Sequence, residues 1–311
     1  MAQRLLNLFN QSCWNCSTTT PQGTAAADSH ISELLTEDAV IILSIVCTLA
    51  SVIGTLGNSL VLLAFRRNQR LRTTPDLFIA SLVFSDLSVC ALFLPMLVYN
   101  FNHRAGNNEY FIFNSVKRFL GHSSMVASAT NLFAVSVDRV IAIRFPFKYM
   151  TVMTTRNALV GILAVWFVSL AFGSLYAREF VSTRFVSSYN VMLLLTTIIM
   201  YIYIFVIAKG QENRIRDMYA VPEGPMMEKK VTKNIFTVVG IYILCWVPQL
   251  LLPAVISPSR NLNRFKCFFY WFQTLLACNS TINPYIYCMR NSKYRSTICK
   301  ILRIERSTER Q

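Results

Sequence analysis

A chain of 311 residues that is 54% hydrophobic and only 14% charged is too apolar for a soluble domain, where about a quarter of the residues carry charge. Its net charge of +15 does not indicate nucleic acid, because the basic residues lie between apolar runs, where anionic lipid headgroups would meet them. The three histidines (His30, His103, His122) have no acid at metal-ligand spacing, and no nucleophile–base pair stands out, which argues against an enzyme.

Residues 1–37 are polar and rich in Ser and Thr, and read as an extracellular tail. Asn10 and Asn15 each open a sequon for N-glycosylation. Asn279 also opens one, but inside an apolar run that no glycosylating enzyme reaches. No secretory signal peptide is expected, so the first span serves as the targeting signal.

Seven apolar stretches follow, at about 39–65, 77–99, 119–143, 158–176, 185–208, 235–256 and 267–289. Each is long enough to cross a hydrocarbon core of ~30 Å at ~1.5 Å per helical residue. The connections on one side hold 21 of the 30 Lys and Arg residues, so that side is cytosolic and the N-terminus is outside. The expected fold is all-α: an extracellular tail over 1–37, a seven-transmembrane helix bundle over 38–290, and a short amphipathic eighth helix with a cytoplasmic tail over 291–311. Within 292–303, Tyr294, Ile298, Ile301 and Leu302 share one face and basic residues the other, as in a helix lying along the inner leaflet. Cys299 there is a candidate for S-palmitoylation; a small buried thiol is the equal alternative.

Polar groups inside the spans are few. Asp138 and Arg139 close an uncharged run at the end of the third span. A charge pair there is a functional site by default, against the plainer reading of a snorkelling arginine. Asp86 is the one charged residue at mid-depth, and a carboxylate in hydrocarbon costs at least ~2.5–3.5 kcal/mol unless partnered. Asn58, Ser124, Ser128, Asn279, Ser280 and Asn283 are the groups able to converge on it. A hard cation such as sodium is one sensible partner; a protonated or hydrogen-bonded Asp is the alternative. Pro248 and Pro284 interrupt the sixth and seventh spans and kink them, which gives each a pivot.

Together these residues resemble the rhodopsin-like family of G-protein-coupled receptors. Gly57-Asn58 is similar to the first-helix signature, Leu82 to Asp86 to the second, and Asp138-Arg139-Val140 to the third with Val for Tyr. Trp166 resembles the lone fourth-helix Trp and Tyr201 the inner fifth-helix Tyr. Cys245–Pro248 and Asn283–Tyr287 match the sixth and seventh. The resemblance implies a receptor that couples to heterotrimeric G proteins at the plasma membrane, with arrestin and receptor kinase as further partners. It implies that Arg139 pairs with an acid at the inner end of the sixth helix, for which Glu228 falls at the matching place, and is released on activation. Tyr201 and Tyr287 would support the opened state, and Trp246 would sense ligand. Asp86, Ser128, Asn279 and Asn283 match the family's sodium site, where sodium favours the silent state by differential affinity.

Departures from the pattern narrow the branch. Asn114 stands where the family's outer cysteine lies, the second outer loop has no Cys, and Leu193 replaces the fifth-helix proline. These features resemble the melanocortin, lysolipid, cannabinoid and adenosine branch. Cys278-Asn-Ser280 is similar to the melanocortin seventh helix in particular. Cys13, Cys16 and Cys267 supply one substitute bridge of open connectivity.

The amine-receptor acid of the third helix is replaced by Gly121, and no seventh-span Lys exists for an opsin. The melanocortin acids are replaced by Met96, Asn114 and Arg118, and the adenosine-type groups by Pro253 and Ala277. Lys117 and Arg118, at the outer mouth of the third span, suggest a small molecule or lipid with an anionic or polar head. Its expected contacts are Lys117, Arg118, Gly121, His122, Met125, Trp246, Gln249 and Gln273, with snorkelling Lys117 and Arg118 the alternative. A peptide receptor and a constitutively active one are the other readings within the class. A small transporter or channel lies outside it and lacks the polar lining several helices would need.

Overall fold

A computed structural model of the chain describes residues 35–102, 107–219, 240–252, 255–256 and 262–303. The first span, Glu37–Arg67, is capped by Thr36, whose side chain accepts from the Ala39 N–H; such a cap contributes about 1 kcal/mol. Glu37 and Asp38 in its first turn and Arg66 and Arg67 in its last oppose the helix dipole at both ends. Its buried stripe, Ala39, Leu43, Cys47, Ala50, Gly54, Asn58, Val61 and Ala64, recurs every three to four residues. Much of that stripe is small, so the second and seventh spans approach closely. Ile41, Ile45, Leu49 and Leu56 are exposed, as a lipid-facing surface requires.

The second span, Thr74–Asn102, loosens into a π turn over Val89–Phe93 just before Pro95, which has no N–H to give the ladder. Ser51 of the first span donates to the Cys90 carbonyl at 2.7 Å, satisfying a backbone group that no water reaches in hydrocarbon. The third span is the 38-residue helix Asn107–Arg144, and the second, fourth and fifth spans all pack on it. It begins earlier than the apolar run at 119: the stretch that qualifies as a crossing is Phe111–Arg144, because Phe111, Ile112 and Val116, all exposed, extend the apolar surface outward. The fourth, Thr155–Ala177, is tied to the second by Trp166 Nε1, which donates to Ser81 Oγ at 3.1 Å.

The fifth span runs in the helix Thr183–Tyr219, with Phe185–Ile207 as its apolar part. The sixth is described over Gly240–Leu252 and the seventh over Leu262–Arg290, with Pro284 inside it. By length and hydropathy alone, five of the described helices qualify as crossings, and Gly240–Leu252 is a shorter apolar one. The seventh is long enough but not apolar enough, because it turns Thr274, Asn279 and Ser280 into the bundle, where all three are buried. Its polarity belongs to the interior, not to the surface.

After the seventh span comes the helix Ser292–Ile301, whose N-cap Asn291 accepts from the Lys293 N–H. Tyr294 is buried at 1% exposure with Leu71 and Val83, and Ile298 and Ile301 pack against the same cluster. Leu302 is exposed, since the helix ends before it. Two polar bonds pin this helix to the bundle: Asn68 Nδ2 donates to Thr297 Oγ1 at 2.8 Å, and Tyr294 OH donates to Asp76 Oδ1 at 3.3 Å. Burial, with Asp76 beside it, raises the Tyr294 phenol above its ordinary pKa, so it stays protonated and able to donate.

Candidate functional site

At the inner end of the third span, Asp138 is fully buried while the Arg139 side chain is 44% exposed. One Asp138 oxygen lies 3.2 Å from Arg139 Nη2, and the other accepts from Tyr149 OH at 2.8 Å. Tyr149 belongs to the short inner-loop helix Pro146–Val152. Burial and the neighbouring carboxylate push its phenol up to about 12, so it keeps its proton. Arg139 reaches into a cavity of about 530 Å³ that Tyr201, Tyr242, Asn279, Asn283 and Tyr287 also line. Glu228, the expected acidic partner of Arg139, lies outside the described residues.

One layer further out, Asp86 is fully buried. Ser128 Oγ donates to its Oδ1 at 2.9 Å and Asn283 Nδ2 to its Oδ2 at 2.7 Å. Asn58 Nδ2 donates to the Ser280 carbonyl at 3.1 Å, while Asn58 Oδ1 is buried with no hydrogen-bond partner among the described residues. Asn279 is buried and lines the inner cavity beside Ser128 and Asn283. The Asp86 carboxylate, the Ser128 hydroxyl and the amides of Asn58, Asn279 and Asn283 carry oxygens of the kind a hard cation takes, while both groups that touch Asp86 here turn a donor to it. Pro284, next to Asn283, packs on the first span, where a Cβ at Gly57 would lie 3.2 Å from its ring.

On the outer side a cavity of about 60 Å³ is lined by His122, Met125, Trp246, Gln249 and Gln273, together with Tyr176, Asn190 and Phe269. Lys117, Arg118 and Gly121 do not line it. Lys117 is buried at 9% exposure. Arg118 Nη1 bonds Glu179 Oε1 at 2.6 Å, its Nη2 donates to the Tyr176 carbonyl at 3.1 Å, and its guanidinium sits 4.8 Å from the centre of the Tyr176 ring. The His122 and Tyr176 rings also stack, with centroids 3.6 Å apart. Glu179 gains its place from a left-handed turn at the end of the fourth span, with φ 63°. The pair joins the third span to the second outer loop, the two parts that the missing outer disulfide would otherwise join. With Glu179 73% exposed, it adds only ~0–1 kcal/mol of stability.

Gly121 is a packing position. A Cβ there would lie 2.5 Å from Phe93 Cε2 and 2.8 Å from its Cδ2, and the Phe93 ring is itself 2% exposed in the core. Gly121→Ala is expected to lower the melting temperature of the detergent-solubilised protein through about 1–3 kcal/mol of overpacking. An unchanged midpoint would mean that the ring swings aside freely.

Two residues of these cavities carry no motif. Tyr242 lies four residues before Trp246 on the sixth span, with ring centroids 5.3 Å apart; that spacing puts both on one helix face and was the available signal. Asn190 sits at the cavity wall on the fifth span with nothing in its local sequence to mark it. Cys267 is disulfide-bonded and the other six described cysteines, Cys299 among them, are free. Its partner is therefore outside the described residues, as are Cys13, Cys16, Asn10 and Asn15. Pro248 lies within the described part of the sixth span, two residues beyond Trp246.

The described helices enclose a buried polar column with a cavity toward each end. The sequence pattern described as 7 transmembrane receptor (rhodopsin family) matches residues 57–183 and 174–287. Human melanocortin receptor 3 is 29% identical over 275 residues, covering 81% of this chain and 82% of that protein. Danio rerio melanocortin receptor 4 is 30% identical over 265 residues, covering 80% of each. The Canis lupus familiaris histamine H2 receptor is 29% identical over 291 residues, covering 85% of this chain and 80% of that one. The chain belongs to the rhodopsin family of seven-transmembrane receptors. It is thus a multi-pass membrane receptor, not an enzyme, and couples an extracellular ligand to heterotrimeric G proteins as that family does.

Proposed function

We propose that this receptor sits in the plasma membrane with its N-terminus outside, takes a small ligand bearing polar groups into the outer cavity, and opens its inner cavity to a G protein. The observation that carries the reading is that one stretch of the sixth span serves both cavities. Trp246 lines the outer one, Tyr242 and Ile241 line the inner one, and the Trp246 and Tyr242 rings pack together. A ligand that displaces Trp246 therefore acts on the wall facing Arg139 without any intervening part. Pro248 supplies the pivot for that movement. Glu228 closes the inner mouth on Arg139 in the silent state, and Tyr201 and Tyr287 support the open one. Sodium at Asp86, Ser128, Asn279 and Asn283 favours the silent state by differential affinity. The open mouth is then available to arrestin and receptor kinase, but the main tail hydroxyls are few (Ser292, Ser296, Thr297, Ser307 and Thr308) and Thr297 is buried against the bundle, so phosphorylation control is limited.

A peptide ligand is less well supported. Melanocortin receptors are among the relatives, but the acids expected for a basic peptide are replaced here, and the outer cavity is compact. A screen of lipids, nucleosides, indoles and peptides against cells reporting cyclic nucleotide and calcium tests the reading. A small molecule whose response falls steeply with Trp246→Leu and Gln273→Leu is the expected outcome. Responses confined to peptides and indifferent to both substitutions would contradict it.

A further inference from the structure

The outer cavity carries information about its ligand's charge and shape. Three of its polar atoms, Asn190 Oδ1, Trp246 Nε1 and Gln249 Oε1, are buried with no hydrogen-bond partner among the described residues. Trp246 as a whole is only 3% exposed. Leaving such a group unpaired in the interior is costly, and a ligand that pairs with it recovers that loss. The indole can only donate, whereas each amide offers its oxygen or, turned over, its NH₂. A matching ligand therefore needs at least one acceptor for Trp246 and further donors or acceptors for the two amides.

Charge is disfavoured on both signs. Among the described residues lining the cavity there is no Asp, Glu, Lys or Arg, and the His122 imidazole is bonded through Nδ1 to the Arg118 carbonyl. Of the two cations at this mouth, neither lines the cavity, and Arg118 is committed to Glu179 at 2.6 Å and to the Tyr176 carbonyl. An ammonium or carboxylate brought here would lose its hydration and meet no counter-charge. Shape follows from the walls. The cavity's 60 Å³ corresponds to about four or five water positions, less than a whole ring needs, and the Tyr176, Trp246 and Phe269 rings bound it, so it admits the polar edge of a flat group slid between the rings.

We infer that the ligand of this receptor presents to the outer cavity an uncharged, planar heteroaromatic or carboxamide group with hydrogen-bond donors and acceptors on its edge, held by Asn190, Trp246 and Gln249. This deepens the receptor reading and rests on it. The anionic head suggested by Lys117 and Arg118 finds no match in this pocket, since neither residue lines it and Arg118 is paired with Glu179.

Three pyridine probes that differ in charge test the inference on the purified full-length receptor in lipid nanodiscs: nicotinamide, nicotinate and 3-(aminomethyl)pyridine, with adenine as a second neutral probe. Saturation-transfer NMR and thermal shift read the binding. The expected result is saturable millimolar binding of nicotinamide, adenine or both, with nicotinate and the amine roughly tenfold weaker or worse. Gln249→Leu is expected to remove the neutral binding, and Gln249→Glu to move preference toward the amine. Preference of the wild type for nicotinate or the amine, no binding by either neutral probe, or neutral binding indifferent to both substitutions would each overturn the inference. G-protein exchange driven by inner-mouth mutations uses no ligand, so failure of the ligand class leaves the receptor reading separately measurable.

Discussion

Arg139→Ala reduces G-protein activation to background at equal surface expression. The guanidinium is 44% exposed at the edge of the inner cavity, and a cytosolic partner entering that cavity meets it directly. Within the described residues its recorded ion pair is with the adjacent Asp138. Asp138 keeps its bond from Tyr149 when Arg139 is removed. The stability loss therefore stays near 1–3 kcal/mol, the magnitude of a buried acceptor left unpaired, and the bundle remains folded. Asp138→Asn is the informative companion: an amide oxygen still accepts from Tyr149, the charge holding Arg139 is gone, and basal signalling rises. Exchange is measured as nucleotide release from a G-protein heterotrimer, normalised to labelled surface receptor. Retained exchange in Arg139→Ala would mean that the partner docks elsewhere.

The second large effect concerns Asp86. Substitution by leucine removes the acceptor for both Ser128 and Asn283 at full burial, leaving two polar groups stranded at about 1–3 kcal/mol each. A melting-temperature drop of several degrees is expected, with loss of signalling. Asp86→Asn keeps the volume and separates charge from packing. If a sodium ion compensates the carboxylate, raising sodium against a choline background lowers basal exchange several-fold in the wild type, and the response is flat in Asp86→Asn. Equal sodium sensitivity in both would contradict a cation at this carboxylate.

Much of the architecture was legible because hydrocarbon imposes simple demands on sequence. The first five spans are apolar runs bounded by charge, and each appears as a long helix. The seventh is harder by hydropathy, since Thr274, Asn279, Ser280 and Asn283 face inward, and it was legible through its motif and its place in the order. The residues gathered at the outer cavity, His122, Met125, Trp246, Gln249 and Gln273, also follow from position on their helices. Pairings between distant segments do not. Nothing near Arg118 in sequence announces that Glu179, 61 residues on, occupies its charge. Nothing near Gly121 reveals Phe93 pressed against it. The Tyr294–Asp76 bond joins residues 218 apart and depends on how the last helix folds back under the bundle. Asn190 was hidden for another reason: an amide in an apolar helix gains meaning only when its neighbours leave it unpaired.

The most direct measurement is guanine-nucleotide exchange on a panel of purified heterotrimers by this receptor in lipid nanodiscs, comparing wild type, Glu228→Gln, and Glu228→Gln combined with Arg139→Ala. A gate closed by Arg139 predicts that Glu228→Gln accelerates exchange on at least one heterotrimer and that the added Arg139→Ala cancels the gain. Exchange that stays at the unassisted rate for every heterotrimer with Glu228→Gln, or acceleration that survives the loss of Arg139, would contradict it.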